Sequence, residues 1–179
     1  MASNGFIELM RLADRGIKRQ KGEHLSNTTQ WLGVAFMLGG EQLVAPLGDV
    51  AEVLSMPDIT PVPLSKSWLL GVANVRGRLM PITNLGQFLQ LPTTQSTQNR
   101  TQTKKLLVID QGNIFSGLLV DDVLGIQTFN QRQYEPEGLP QESPLAAYTH
   151  GRFRQNEQNW YIFMPSLLVE DQRYLEAAL

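Results

Sequence analysis

From Trp31 onward the apolar residues of this chain recur at every second position, in short runs broken by glycine, proline and asparagine. That pattern admits little except a fold of short β-strands. Leu32, Val34, Phe36 and Leu38 fall on one face of a strand. Gly39-Gly40 follows as a hairpin turn, and Leu43, Ala45 and Leu47 line one face of the return. Residues 50–55 are short and apolar, whereas residues 56–63 hold three prolines and read as extended, irregular chain. Residues 65–70 suit a single helical turn capped by Ser65 or Ser67. The stretch from Gly71 to Leu85 reads as strand, tight turn at Arg76-Gly77, and strand; Pro81 inside the second strand predicts an edge or a bulge. Leu106 to Ile109 is a buried strand, Gln111-Gly112-Asn113 a turn, and residues 114–120, 123–129 and 160–164 are further strands. Residues 93–103 and 130–143 are polar loops. Leu167, Leu168, Tyr174 and Leu175 stand at helical spacing and predict a C-terminal helix. So many short strands and so few helices argue for an all-β barrel or sandwich fold.

The first 29 residues obey a different period. Phe6, Leu9, Met10, Ala13 and Ile17 recur at helical spacing, and Arg11, Arg15 and Lys18 gather on another side. Residues 22–29 are polar and read as a linker, which divides the chain into residues 1–29 (amphipathic helix and linker) and 30–179 (the β domain). The helix either docks on its own domain or offers a basic face to a membrane surface or a partner protein.

Composition narrows the function by exclusion. A length of 179 residues suits one domain or two small subdomains sharing a core. The absence of cysteine removes disulfides and thiolate metal sites. A net charge of −2 argues against nucleic acid as the main partner. No apolar run approaches the ~20 residues of a membrane span, and no secretory h-region opens the chain, so a cytoplasmic protein is expected. His24 falls in the linker and His150 before a glycine turn, with no second ligand at metal spacing. Asp121 and Asp122, as neighbours in a strand, point to opposite faces and make no acid/base dyad. The glycines form neither a phosphate loop nor a dinucleotide fingerprint, and no nucleophile elbow is present. The expectation is a protein without catalytic residues, cofactor or metal.

Three segments, in order, resemble the CheW family of chemotaxis coupling proteins. Gly71-Val-Ala-Asn-Val-Arg-Gly77 with Leu79-Met-Pro-Ile-Thr-Asn-Leu85 is similar to the family's glycine–arginine signature. Val50-Ala-Glu-Val53 resembles the segment after the first hairpin, and Phe115-Ser-Gly-Leu-Leu-Val-Asp-Asp-Val123 the strand pair of the second half. The resemblance implies two SH3-like five-stranded β-barrel subdomains, here with an N-terminal helix extension and a C-terminal helix. It implies a non-catalytic adaptor that binds the cytoplasmic hairpin tip of a chemoreceptor, the regulatory domain of a CheA-type histidine kinase and other CheW-like domains. Such an adaptor is recruited to receptor arrays at the membrane without inserting into it. Asn84 departs from the family's usual aspartate, and the Thr/Gln-rich loop and basic helix are additions. These features resemble the PilI-type adaptors of type IV pilus twitching systems; a CheW paralogue of a flagellar or other pathway is the alternative.

By the same resemblance, Arg76, Glu52, Val50, Val53, Asn74, Val123, Ile126 and Gly117 match partner-binding positions. Each has a plainer reading. A turn arginine is commonly a solvated charge, although its guanidinium suits a bidentate, partly buried ion pair. Asn74 can satisfy a turn amide. Val50, Val53, Gly117, Val123 and Ile126 can be packing positions of the barrels, whereas Glu52 between apolar residues is less easily core. Gly71 and Gly77 are expected to serve turn geometry. A barrel that binds a small ligand, and a membrane or nucleic-acid binder acting through the basic helix, are the competing classes. Salt-dependent binding to anionic vesicles or DNA separates the last from an adaptor.

Overall fold

The computed structural model describes residues 30–92 and 104–176. The expected N-terminal helix and linker, and the polar loop at 93–103, lie outside the described residues. What is described is dominated by eleven strands in two sheets. The first hairpin, β1 (Gln30–Leu38) and β2 (Glu41–Pro46), turns at Gly39-Gly40, both with positive φ. The chain then crosses into a second sheet made by β3 (Glu52–Ser55), β4 (Leu69–Val75), β5 (Arg78–Asn84), β6 (Lys105–Gln111) and β7 (Ile114–Val120), in the order β3-β6-β7-β5-β4. It returns at Asp121 to complete the first sheet with β8 (Asp122–Asn130), β9 (Tyr134–Glu135), β10 (Thr149–Gln155) and β11 (Gln158–Phe163). That sheet runs β8-β1-β2-β11-β10-β9, so the first hairpin is flanked on both sides by later strands, β8 and β11. Two of the pairings are parallel, β2 with β11 and β5 with β7.

The apolar runs explain the packing. Leu106 and Val108 of β6 face a core with Ala73, Met80, Ile82 and Leu119, while Leu107 and Ile109 face the other way. Along β1, Trp31 and Ala35 enter an aromatic core with Phe129, Phe153 and Trp160, while Val34, Phe36 and Leu38 face the opposite side. Strands buried on both faces read as continuous apolar sequence rather than as clean alternation. The shared side is the junction of the two sheets, where Phe36, Leu43 and Phe163 of one meet Leu107, Leu118 and Val120 of the other. Each sheet thus keeps a core of its own and gives its second face to a common one.

Several sequence expectations are corrected. The first sheet has six strands, not five, because Tyr134-Glu135 inside the "polar loop" pairs with Arg152-Phe153 of β10. Its charges face outward, with Arg152 held by Glu135 at 2.6 Å, which is why the segment looked like loop. His150 lies within β10, not ahead of a turn. The C-terminal helix is two short ones, Pro165–Val169 and Gln172–Leu175, because the Asp171 side chain accepts from the Arg173 amide and starts the second afresh. No helix forms over residues 65–70: turns lie at 63–64 and 67–68, Leu69 and Leu70 already belong to β4, and Ser65 Oγ donates to the Val62 carbonyl rather than capping a helix. Pro81 sits in an inner strand, but β5 pairs with β7 only from Ile82 onward. On that side the strand is locally an edge, so the missing N–H costs no ladder bond there. The bulge of the pair lies instead opposite, in β4 between Leu69 and Gly71.

Asn84, the departure from the family pattern, caps the short helix Leu85–Phe88: its Oδ1 accepts from the Gln87 amide at 3.1 Å. Asparagine and aspartate serve equally there, so the exchange leaves the local structure intact.

Candidate functional site

The chain passes between the sheets twice, once through residues 47–51 and once at Asp121. An open groove of about 500 Å³ lies where the two passages meet. One wall is Leu47, Val50, Ala51, Glu52 and Val53; the other is Val123, Leu124, Gly125 and Ile126, with Val34 and Lys105 also in the lining. The strands on the two walls, β3 and β8, are edge strands of different sheets. Segments some seventy residues apart in sequence are therefore brought side by side by the two crossovers.

The lining is apolar and uncovered. Leu47, Val53, Leu124 and Ile126 are 38%, 40%, 42% and 61% exposed. Four large apolar side chains left in water along one groove are a signature of an interaction surface. A β-bulge interrupts the β8 wall: Phe36 pairs with Val123 and Ala35 with Gly125, which leaves Leu124 as the extra residue of β8. Gly125 takes φ +97 there, a backbone conformation that glycine adopts without strain. Leu124 and Ile126, two residues apart, lie on one side of the strand, and both stand exposed in the groove. Val50, by contrast, is buried and forms part of the shared core beneath it.

Charge sits at the rim. Glu52 reaches Arg76 at 2.7 Å, from β3 to the tip of the β4–β5 hairpin. Arg76 and Gly77 both have positive φ, the two-residue turn anticipated from sequence, and Asn74 Oδ1 accepts the Gly77 amide at 2.9 Å. The arginine is 77% exposed and makes a single contact through one nitrogen, as the plainer reading of a turn arginine has it. Its remaining donors face solvent. Lys105 at the start of β6 donates to Ser55 Oγ at 3.0 Å. Asp49, in the turn between Leu47 and Val50, is 6% exposed, and burial pushes its carboxyl up to about 6.

The structure therefore gathers Val50, Glu52, Val53, Val123 and Ile126 in one groove and ties Arg76 to its rim, with Asn74 shaping the turn that carries Arg76. Gly117 is not among them. It is buried in β7, and a Cβ there would lie 3.0 Å from both Ile82 and Met80, so its role is close packing inside the second sheet. Gly71 is not in a turn either: it lies within β4, where an added Cβ would stand 2.3 Å from the Thr60 carbonyl oxygen. That close approach allows Thr60 to bridge Val72 and cover the outer edge of β4. Sequence reasoning missed Leu47, Leu124 and Lys105. An apolar residue followed by a lone glycine in strand pattern, Leu124-Gly125, is a bulge signal that points to the second of these. Asp121 and Asp122 hold structure, accepting from the Gly39 and Val123 amides respectively. Among the described residues, no group of three histidines or carboxylates is placed to hold a metal ion. None of their helices is long and apolar enough to cross a membrane.

Comparison with known proteins bears on what such a groove is for. The CheW-like domain family matches residues 32–173. Protein PilI of Pseudomonas aeruginosa is 41% identical over 149 residues, covering 83% of this chain and 81% of its own. The chemotaxis protein CheW of Thermotoga maritima is 29% identical over 102 residues, 57% of this chain and 64% of its own. The crystal structure of the scaffolding protein TtCheW from Thermoanaerobacter tengcongensis superposes with a TM-score of 0.64 at 20% identity, covering 74% of this chain and 88% of that one, a likeness of fold.

Proposed function

The chain belongs to the CheW-like domain family, and from that premise we propose that it is a non-catalytic adaptor coupling a methyl-accepting chemoreceptor to a CheA-type histidine kinase, in a chemosensory system that governs type IV pilus twitching. The observation that carries the reading is the uncovered apolar groove in which family-matched positions from two separate stretches, Val50, Glu52 and Val53 with Val123 and Ile126, converge. The receptor's cytoplasmic hairpin tip is helical, and a helix lays its apolar stripe into a groove of this kind. Leu47, Val53, Leu124 and Ile126 supply the apolar contact, and the free donors of Arg76 supply a charged contact at the rim. The kinase's regulatory domain, itself CheW-like, binds elsewhere on the two-sheet body, and the adaptor works in the cytoplasm at membrane-associated arrays. The pilus assignment rests on the similarity to PilI.

Two variants test this. Ile126→Asp places a charge in the groove and removes apolar contact of about 1–2 kcal/mol, so affinity for a receptor cytoplasmic fragment should fall five- to thirtyfold or more. Arg76→Ala should melt within about 1 kcal/mol of the wild type, since an exposed single-contact pair contributes little, yet weaken the receptor–kinase complex. Lysine should rescue it poorly if the partner takes the guanidinium as a fork. Unchanged receptor binding and kinase output in both folded variants would refute the assignment of the groove.

A further inference from the structure

We propose that the N-terminal segment is a resident occupant of this groove: residues 6–17 lay their apolar face between β3 and β8 and compete with the partner for it. The inference rests on the reading of the groove as a docking site and adds that the chain carries its own competitor.

Reach comes first. The described chain begins at Gln30, and Val34, four residues along the same strand, already lines the groove opposite Ile126. At a strand rise that is about 13 Å. The eight linker residues 22–29 can extend to about 26 Å. A helix starting beyond them can therefore turn back over the groove without strain.

Size and chemistry agree. Phe6 to Ile17 spans about 18 Å as a helix. The β8 wall from Asp122 to Ile126 runs about 13–16 Å. By their spacing Phe6, Leu9, Met10, Ala13 and Ile17 fall on one apolar stripe of a helix. The groove is the matching case, with exposed Leu47, Val53, Leu124 and Ile126 and only Glu52 and Lys105 as charged lining. Leu32, 44% exposed on β1 between Gln30 and Val34, continues the apolar surface toward the point where the segment joins. The occupant is also of the right kind, an amphipathic helix standing in for the helical tip of a receptor.

Tethering makes a weak contact effective. A linker of this length gives an effective concentration of roughly 1 mM. A helix that binds in isolation at about 0.1 mM would then fill the groove some nine-tenths of the time and lower apparent receptor affinity about tenfold.

The chain has no cysteine, so paired cysteines report the contact in the full-length protein. Met10→Cys with Leu124→Cys should form an intramolecular disulfide at least tenfold faster than Met10→Cys with Leu64→Cys, whose partner is fully exposed at a loop tip away from the groove lining. Equal rates, crosslinks only between molecules, or capture of the helix by anionic vesicles in place of the crosslink would overturn the proposal. In a second arm, Leu9→Ser with Ile17→Ser in the full chain should raise affinity for a receptor cytoplasmic fragment about tenfold; a crosslink with unchanged affinity would overturn the competition. If no form binds the receptor fragment while the selective crosslink stands, the receptor assignment fails and the occupancy of the groove does not.

Discussion

Asp49→Asn should leave a protein whose stability no longer falls between pH 4 and pH 6. Asp49 stands in the crossover turn between Leu47 and Val50, 6% exposed, and burial moves its carboxyl from 3.8 to about 6. Folding then takes up a proton in the window between those values. Because the folded state binds the proton more tightly, wild-type stability is highest below pH 4, declines as pH rises through 6, and carries the whole penalty at pH 7. A displacement of about two units corresponds to roughly 3 kcal/mol. For a chain of this size that is about 6–12 °C in Tm. Asparagine is neutral throughout and lacks this term. The assay is urea or thermal unfolding of both proteins from pH 4 to pH 8, taking the difference so that every other titration cancels. The curves should diverge by about 3 kcal/mol across the window, with the variant the more stable at pH 7. Parallel curves would mean that water or local opening solvates the carboxylate, and the argument from burial would fail. Asp171 acts in a separate window: Arg173 and the Tyr148 hydroxyl hold its carboxyl at about 2, so its contribution is present above pH 4 and is lost only toward pH 2.

Other substitutions separate structural from surface roles. Gly71→Ala, which drives a Cβ against the Thr60 backbone, should cost about 2–4 kcal/mol, whereas Gly77→Ala, with open space around it, should cost only the ~1 kcal/mol of a left-handed alanine; equilibrium denaturation compares them, and equal losses would contradict the close-approach argument. Tyr174→Phe removes the buried hydroxyl paired with Ser116 and should cost about 1–2 kcal/mol without altering the fold, as read by melting and circular dichroism. Arg76→Gly should match or exceed wild-type stability, because a non-glycine residue at φ +53 is strained and its ion pair is exposed; a clear loss of stability would show that the Glu52 contact matters more than its exposure implies.

The all-β class, the hairpin at Gly39-Gly40 and the turn at Arg76-Gly77 were legible because each depends on local chemistry: period-two alternation, and residues that tolerate positive φ. The buried strand at Leu106–Ile109 was legible as an apolar run, but not which face belongs to which core, since both are apolar. Tyr134-Glu135 escaped notice because two residues carry no period, and their pairing is supplied by β10. Val50, Glu52, Val53, Val123 and Ile126 could be singled out only by resemblance, and nothing in their sequence tells a core valine from an exposed one.

What the chain alone determined is thus the local half of the protein: strands, turns, and the absence from the sequence of known catalytic and phosphate-binding motifs. What only the tertiary structure decided is the site. Val50 is buried while Val53 and Ile126 stand in water, and Gly117 packs a core while Gly125 makes a bulge. These differences arise where two sheets lie against each other and the chain crosses between them twice. Exposure at such a crossing is set by what the other sheet covers, and no run of neighbouring residues encodes it.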